Sequence, residues 1–507
     1  MVPVDFTFNS VMLLGAVVLI AAIVSARIGA RVGLPSLLLF LGLGMLMGDS
    51  GPLQIRFNDA DLARDLGFGA LVLILSEGGL TTRWSDIKPS VGTASVLATV
   101  GTGISVALMT AFGHYVLGLD IWVAVVLGAV ASPTDAAAVF SVLRNVAIPH
   151  RLRGMLEAES GLNDAPTVLL VILASEAASQ GPPAGGLAAL IGLIVLELVG
   201  GLAIGLALGW LGVWLLRRVA LPSSGLYPLA ALVWTVFSYG VGAGAHTSGF
   251  AAVYVCALML GNAQLPHRGA TRSFVEGVGW IAQIGLFVML GLLATPDRVS
   301  LRAVLTALAA GLFLTFLARP VSVYLSTVWF GVGGREQLFL SWAGLRGAIP
   351  IILATIPLSQ NIDQAEFLFD VVLVFVLVFT CLQAPTLPFV ARRLNLIDDD
   401  AARDVEVEAA PLDKISADLL QVRIPHGSRL SGVEIGELRL PKDTVVSLVI
   451  RDQTPFSPAP RERIKVGDEL LIVTPTAQRL NTEERLRSVG RSGRLAGWRH
   501  RDSEDSD

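Results

Sequence analysis

Two polar motifs, ASPTDA at 131–136 and EAESGLNDAPT at 157–167, interrupt two apolar runs that are each long enough to cross a bilayer. They place Asp135, Glu159 and Asp164 at membrane depth. A charged side chain there costs about 2.5–3.5 kcal/mol on insertion scales, so an ionisable group in such a run indicates an ion or proton path. We therefore expect the functional site here, with the other segments as scaffold, gate or regulator.

The composition predicts a helical membrane protein that crosses the bilayer many times. Of 507 residues, 53% are hydrophobic and 15% are charged, with a mean hydropathy of +0.68, which excludes an ordinary soluble protein. Apolar runs predict about 13 transmembrane helices. The predicted spans are 9–27, 34–48, 66–80, 90–113, 120–143, 154–177, 186–217, 225–245, 247–261, 274–294, 301–330, 336–357 and 366–392.

Charge and cysteine content exclude several classes of partner and cofactor. The net charge of −4 is small for this length and does not indicate a nucleic-acid partner. Cys256 and Cys381 both lie in apolar runs, so neither a disulfide framework nor a metal-ligand spacing is present. The expected partner of most of the surface is membrane lipid.

Basic residues between the spans predict the orientation of the chain. With the N-terminus outside, the loops on the cytoplasmic side carry Arg27, Arg31, Arg83, Lys88, Arg144, Arg151, Arg153, Arg217, Arg218, Arg268, Arg272, Arg335, Arg392 and Arg393. The opposite loops hold Arg56, Arg64, Arg298 and Arg302. This asymmetry is the positive-inside pattern, and it places the C-terminus in the cytoplasm. Because Asp5 precedes the first basic residue, we read the first span as retained rather than as a signal peptide.

Two spans contain helix-breaking sequences. The fifth carries Ser-Pro-Thr at 132–134, and the twelfth carries GLRGAIP at 344–350. Discontinuous helices in corresponding positions of two halves point to the site of a secondary transporter. Spans five and twelve differ by seven, an odd number, so repeats with this offset are inverted in the membrane. Glycine and proline are also common in ordinary membrane helices, which is the alternative reading of each break.

The composition changes after Arg393, at the end of the membrane domain 1–393. Residues 394–412 are acidic and predict a flexible linker. Residues 413–480 alternate in hydropathy, with strands expected at 419–424, 444–450 and 469–473, and predict a small α/β domain. Residues 481–507 mix charges with serine and glycine, which predicts a disordered tail.

The polar motifs supply oxygen ligands for a dehydrated cation. The candidates are Thr134, Asp135, Glu159, Ser160, Asn163 and Asp164. On a helix Ser160 and Asp164 share one face, as do Glu159 and Asn163, and the break in the fifth span faces them if the two spans pack together. Burial disfavours the charged form of a carboxylate, so a proton can compete there with a metal cation. That competition at one aspartate is the minimal logic of an exchanger.

Two arginines, Arg319 and Arg346, also lie within spans. They keep their charge in nearly all protein environments, so they either neutralise the carboxylates of the site or form structural ion pairs away from it. For Arg346, in the second break, we expect a structural role beside the site.

Three segments resemble a known family. ASPTDAAAV at 131–139, ESGLNDAP at 159–166 and WAGLRGAIP at 342–350 together resemble the monovalent cation:proton antiporters, in the branch with an Asn-Asp pair. The resemblance covers residues 5–393. It implies an all-α, dimeric, inverted-repeat fold with crossed broken helices, a mobile core domain and a dimer interface on the scaffold side.

The resemblance also implies roles for individual residues. Asp164 matches the ion- and proton-binding carboxylate, with Asn163 as its partner. Thr134 and Asp135 match the residues of the first broken helix, Arg346 matches the arginine of the second, and Glu159 and Ser160 match supporting ligands. Potassium or sodium is then held at Asp164, Thr134 and Ser160. An Asn-Asp pair implies electroneutral one-for-one exchange without any cofactor beyond the transported ions.

The C-terminal sequence carries a second resemblance. Residues 422–473 are similar to the C-terminal lobe of regulator-of-potassium-conductance domains. Its combination with the membrane domain resembles bacterial potassium/proton antiporters of the inner membrane, which favours potassium as the cargo. The lobe either binds a small molecule or nucleotide or serves only in assembly.

Other functions remain open at this point. A sodium/proton antiporter uses the same site. A potassium channel gated by the lobe is disfavoured because no TVGYG-like filter is present. An intramembrane protease with Asp135 and Asp164 as its dyad lacks the expected Gly-x-Gly-Asp and Tyr-Asp sequences.

Overall fold

The computed structural model forms two compact units. It describes residues 8–32, 35–143, 146, 148–181, 186–360, 362–396, 406–412, 417–425 and 428–493. The membrane unit comprises Met1–Asn145 and His150–Leu396, and the C-terminal unit comprises Ile397–Asp507 with Val146–Pro149.

The described part of the membrane unit is built from helices. They are α1 (Phe8–Val32), α2 (Ser36–Met47), α3 (Ala60–Thr81), α4 (Trp84–Ile87), α5 (Val91–Val96), α6 (Thr102–Tyr115), α7 (Ile121–Ala131), α8 (Ala136–Val142), α9 (His150–Gln180), α10 (Gly186–Arg218), α11 (Leu226–Gly244), α12 (Gly249–Asn262), α13 (Arg268–Leu293), α14 (Leu301–Phe313), α15 (Arg319–Thr327), α16 (Gly334–Trp342), α17 (Ala348–Ser359) and α18 (Ala365–Arg393). Among described residues, six helical stretches are long and apolar enough to cross a membrane. The count of about 13 spans stays a prediction.

Polar residues at the helix starts fix where several helices begin. The side chains of Asp59, Asp120, Ser248 and Ser300 each accept a hydrogen bond from a backbone N–H in the first turn of α3, α7, α12 and α14. The first backbone N–H groups of a helix have no partner within it. These caps therefore satisfy backbone N–H groups at the loop–helix boundary, so that the apolar residues that follow can enter the bilayer as helix.

The helices form two bundles. We call α2, α3 and α10–α13 the α3 bundle, and α4–α9 with α14–α18 the α9 bundle; α1 packs on α2. Within the α3 bundle, α2 and α13 touch backbone to backbone, because a Cβ on Gly44 would lie 2.8 Å from the Cα of Gly291. Small residues allow such close approach where no water drives helices together. The bundles meet through α17 on α3 and through α9 on α10 and α12.

Two π-helical segments occur in the α9 bundle. Leu97–Gly101 joins α5 to α6, and Leu314–Ala318 joins α14 to α15. The segment at 97–101 packs on α15, and the segment at 314–318 packs on α6. A π turn inserts one extra residue and rotates the side chains that follow it. The two segments lie in the fourth and eleventh predicted spans, which repeats the offset of seven between the breaks.

The C-terminal unit contains a five-stranded antiparallel sheet. Its strands are β1 (Glu406–Leu412), β2 (Ala417–Arg423), β3 (Val445–Arg451), β4 (Thr454–Phe456) and β5 (Glu469–Pro475), in the order β1-β2-β5-β3-β4. Alternate residues of β2 and β5 are buried, and helix α19 (Arg479–Ser492) contributes Leu486 and Val489 to the same core. The strands expected at 419–424, 444–450 and 469–473 correspond to β2, β3 and β5.

An ion-pair network fixes the turn before β5. Arg451 donates from Nε and Nη2 to the two carboxylate oxygens of buried Asp468, each over 2.8 Å, and from Nη1 to Glu462 over 2.9 Å. The hydrogen bonds with Asp468 raise the pKa of Arg451, against the opposing effect of its partial burial. This network ties β3 to the loop that leads into β5.

Two segments of the C-terminal unit differ from the sequence-based expectation. Strand β1 lies within 394–412, where we expected a linker, and α19 lies within 481–507, where we expected a disordered tail. In α19 the apolar residues that enter the core are three apart among charged ones, so composition hides the buried face. Residues 397–405 and 494–507 of the expected linker and tail lie outside the described residues.

Candidate ion-binding site

The two breaks meet inside the α9 bundle. The backbone N–H of Asp135, between α7 and α8, donates to the carbonyl of Leu345, between α16 and α17, over 2.8 Å. The Asp135 carboxylate also accepts from the backbone N–H of Ala138 over 3.2 Å, which caps α8. A Cβ on Gly347 would lie 3.0 Å from the Cβ of Asp135 and would overlap its carboxylate. Asp135 therefore lies at the N-terminal ends of both α8 and α17, where a negative charge is favoured.

Arg346 lies at the opposite ends of the half-helices. Its Nε donates over 3.1 Å to the carbonyl of Ala131, the last residue of α7, and its Nη1 donates to the carbonyl of Gly344, just after α16. Thr380 of α18 donates to the Arg346 carbonyl over 2.8 Å. A guanidinium is favoured beside C-terminal carbonyls. We call the point where the two broken helices meet the crossing. There the negative charge of Asp135 faces the N-terminal ends of two half-helices, and the positive charge of Arg346 faces the C-terminal ends of the other two.

Helix α9 lies directly against the first break. The side-chain amide of Asn163 donates to the hydroxyl of Thr134 over 3.1 Å, and both residues are buried. The sequence places the first break against these residues only if the two spans pack together, and the structure shows that packing. Ser160 is half-buried and lies one turn before Asp164 on α9.

Asn163 and Asp164 each have one side-chain oxygen without a hydrogen-bond partner in the described part of the chain. Asn163 is fully buried and Asp164 is 4% exposed, yet the Oδ1 atoms of both have no hydrogen-bond partner among the described residues. The hydroxyl of Thr167 lies 2.8 and 2.9 Å from their backbone carbonyls. It fixes the helix just after Pro166, whose ring removes one backbone donor. Most buried polar atoms in proteins are hydrogen-bonded, so two neighbouring exceptions call for a ligand or a proton.

Glu159 and Arg319 form a buried ion pair beside these oxygens. Arg319 Nη1 lies 2.5 Å from Oε1 of Glu159, and Nη2 lies 2.9 Å from Oε2. The exposed fractions of the two side chains are 3% for arginine and 1% for glutamate. Arg319 is the first residue of α15, directly after the π segment Leu314–Ala318. The sequence left open which arginine meets Glu159, and the structure pairs it with Arg319 through both oxygens.

Two contacts at the site were not found from the sequence. Tyr254 of α12 packs on Gly161 of α9, where a Cβ would lie 2.7 Å from Cε2 of the ring. Thr380 fixes the Arg346 carbonyl from an otherwise apolar helix. A tyrosine and a threonine within apolar runs are weak signals, because both residues also serve ordinary helix packing.

The fold and the site together define an ion-coupled membrane transporter, in which two broken helices meet beside buried carboxylates. The family model for the transmembrane part of sodium/hydrogen exchangers matches residues 16–393, and the chain belongs to this family. A model for the TrkA-C domain matches residues 419–487. The antiporter family and the C-terminal lobe expected from the sequence motifs are thereby confirmed.

Similar proteins carry related names. The chain is 34% identical to the K(+)/H(+) antiporter NhaP of Alkalimonas amylolytica, over 92% of this chain and 82% of the relative. It is 32% identical to the K(+)/H(+) antiporter NhaP2 of Shewanella oneidensis, over 92% and 81%. The fold is similar to the sodium proton antiporter MjNhaP1 from Methanocaldococcus jannaschii, with a TM-score of 0.64 and 21% identity over 75% of this chain and 100% of that one. This confirms the expected antiporter fold.

Proposed function

We propose that the protein exchanges potassium for protons by alternating access, with both ions competing at Asp164. The observation that carries the proposal is the pair of buried oxygens on Asn163 and Asp164 that have no hydrogen-bond partner in the described part of the chain. Relatives named K(+)/H(+) antiporters over most of their length support potassium as the cargo. The proposal needs binding and release only, with no covalent step and no cofactor.

The cation is held by oxygen atoms from two helices. Asp164 supplies a carboxylate, Ser160 a hydroxyl from the same helix, and Thr134 a hydroxyl from the first break. Because Thr134 accepts the hydrogen bond of the Asn163 amide, its own position is fixed before the ion arrives. Asn163 offers its amide oxygen, whereas both carboxylate oxygens of Glu159 stay on Arg319 and support the site from beside it. Such oxygen sets suit hard monovalent cations.

The buried charges support electroneutral exchange. Glu159 offsets Arg319, and the crossing carries one negative charge on Asp135 and one positive charge on Arg346. Asp164 forms no ion pair among the described residues. A proton or a potassium ion on Asp164 therefore gives the same total charge, whereas the empty site keeps an uncompensated buried charge, which is costly in a low dielectric. The change between the inward-facing and outward-facing states therefore requires a proton or a potassium ion bound at Asp164.

We also propose the membrane placement and assembly of the chain. The loop charges favour a multi-pass inner-membrane protein with its N-terminus outside and its C-terminal lobe in the cytoplasm. Helix α10 exposes apolar side chains such as Leu196 and Trp210, at 69% and 65%. This face suits lipid or the second copy of a homodimer. The lobe regulates transport, and a small molecule or nucleotide is its proposed ligand.

Proton flux in reconstituted vesicles tests the proposed function. We expect potassium-driven proton flux in the wild type and none in Asp164→Asn, because the amide cannot take up or release the proton. Asp297→Asn, which changes an exposed carboxylate, is the matched control and is expected to transport normally. Unchanged flux in Asp164→Asn would contradict the assignment of the site.

Sodium is the second candidate cargo. The exchanger family carries sodium in its name, and the structurally similar MjNhaP1 is called a sodium proton antiporter. The same vesicles therefore receive sodium in place of potassium. Flux driven by sodium alone would retain the site and overturn the cargo, and ion currents far above alternating-access rates would instead indicate a channel.

A further inference from the structure

We propose that Arg64 of α3 is a gate residue that holds the end of α17 and thereby stabilises the conformer seen in this structure. This inference rests on the proposed exchange function. Arg64 Nη1 donates to the hydroxyl of Ser359 over 2.9 Å. Ser359 is the last residue of α17, and its hydroxyl donates in turn to the carbonyl of Ile356 over 2.9 Å. The serine hydroxyl thus accepts one hydrogen bond and donates another, which orients it towards Arg64.

The bond joins the two helix bundles. Helix α3 packs mainly on α12 and α13, whereas α17 packs on α18, α9 and α7 as well as on α3. Arg64 and Ser359 are both half-buried at this boundary. If the bundles move against each other during alternating access, this contact has to break and re-form.

Helix α17 connects Arg64 to the ion site. It has 12 residues and is therefore about 18 Å long. Its N-terminal end at Gly347 lies against Asp135, and its C-terminal end lies beside the Arg64 guanidinium. A cation is favoured at a helix C-terminus. Because α17 is a short rigid helix, holding or releasing its C-terminal end at Ser359 also affects its N-terminal end, which lies against Asp135.

Arg64 can release α17 without losing its own charge partners. Its Nη1 lies 3.1 Å from Oδ1 of Asp61, and its Nη2 lies 3.0 Å from Oδ1 of Asp65. Both aspartates are on α3, and their side chains are 67% exposed. When the bundles separate, these partners move with Arg64 and only the bond to Ser359 is lost. The contact therefore suits a reversible gate. A permanent structural tie would instead require α3 and α17 to move together through the whole cycle.

Removing the hydroxyl tests the gate. In Ser359→Ala, the conformer with α17 held by α3 loses one charge-assisted bond, and the opposite conformer becomes more populated. In vesicles of known orientation, we expect the cation concentration for half-maximal exchange to fall roughly three- to tenfold on the face where Arg64 lies, and to rise on the other face. That face is external in the proposed topology. Ser359→Thr keeps the hydroxyl and serves as the matched control.

The outcomes separate the gate from the exchange function. Wild-type protein without any cation-driven proton flux overturns the proposed function. Active wild type with identical half-saturation values in Ser359→Ala and Ser359→Thr on both faces overturns the gate alone. A uniform loss of maximal rate without any difference between the faces also contradicts it, because that result indicates a structural role.

Cross-linking provides a second test that does not depend on a small shift. Arg64→Cys and Ser359→Cys are combined in a Cys256→Ala, Cys381→Ala background and joined by a cleavable bifunctional thiol reagent. We expect exchange to stop on cross-linking and to resume after cleavage, while each single-cysteine protein stays active. Continued exchange in fully cross-linked protein would overturn the gate.

Discussion

Glu159, which pairs with Arg319 of α15, and the Asn163–Asp164 pair lie within six residues of α9 and are almost equally buried, yet their oxygen atoms differ in one respect. Both carboxylate oxygens of Glu159 accept from Arg319. The Oδ1 atoms of Asn163 and Asp164 have no partner in the described part of the chain. Burial alone therefore does not distinguish a structural charge from a binding charge, whereas the state of the hydrogen bonds does.

The largest effect on stability is expected where the paired charge loses its partner. Glu159→Gln leaves the buried guanidinium of Arg319 without a counter-charge, which costs about 3–5 kcal/mol in comparable pairs. We expect a clear drop in the thermal unfolding temperature of the purified protein in detergent. The double variant Glu159→Gln with Arg319→Gln removes both charges and should recover much of the loss. If Glu159→Gln alone is as stable as the wild type, the ion pair with Arg319 has no structural role that separates Glu159 from Asp164.

An intermediate effect is expected at the link between α9 and the first break. Thr134→Val keeps the shape of the side chain but removes the acceptor for the Asn163 amide and one proposed cation ligand. We expect the apparent cation affinity to fall about tenfold, with a loss of stability of about 1–2 kcal/mol. Thr134→Ser retains the hydroxyl and is the control. If serine and valine behave alike in flux assays, the hydroxyl is not a ligand.

The smallest effect is expected at the second break. Thr380→Val removes the hydrogen bond to the Arg346 carbonyl, a neutral bond worth about 0.5–1.5 kcal/mol. Because no proposed ion ligand changes, unfolding should shift slightly while the cation affinity stays at its wild-type value. Cys381→Ser, on the exposed side of the same helix, is the comparison. A change in affinity as large as that of Thr134→Val would place the second break within the ion site.

The arrangement within α9 is predictable because helix geometry is local. Residues four apart share a face, so the sequence indicates which motif residues lie together on α9. Their contact with the first break depends in addition on the packing of two spans, which periodicity does not give. The partner of Glu159 depends on a different kind of information. Arg319 follows a π segment, and an extra residue in a helical turn leaves no clear mark on hydropathy.

The contact between the breaks is likewise a long-range property. The bond from Asp135 to Leu345 joins residues more than two hundred positions apart. In the C-terminal unit, alternation predicts β2, β3 and β5 but not that β5 lies between the other two. Pairing order depends on which strands share a core, and the hydropathy period of each strand does not specify its neighbours.

Helix α19 has a practical consequence for work on isolated fragments. Leu486 and Val489 are buried with Leu420, Leu470 and Ile472 in the core of the lobe. A fragment that stops at residue 480, where the alternating pattern ends, would expose one side of that core to water and would favour aggregation during expression. A piece of the lobe produced for ligand screening should therefore begin before β1 and continue past Ser492.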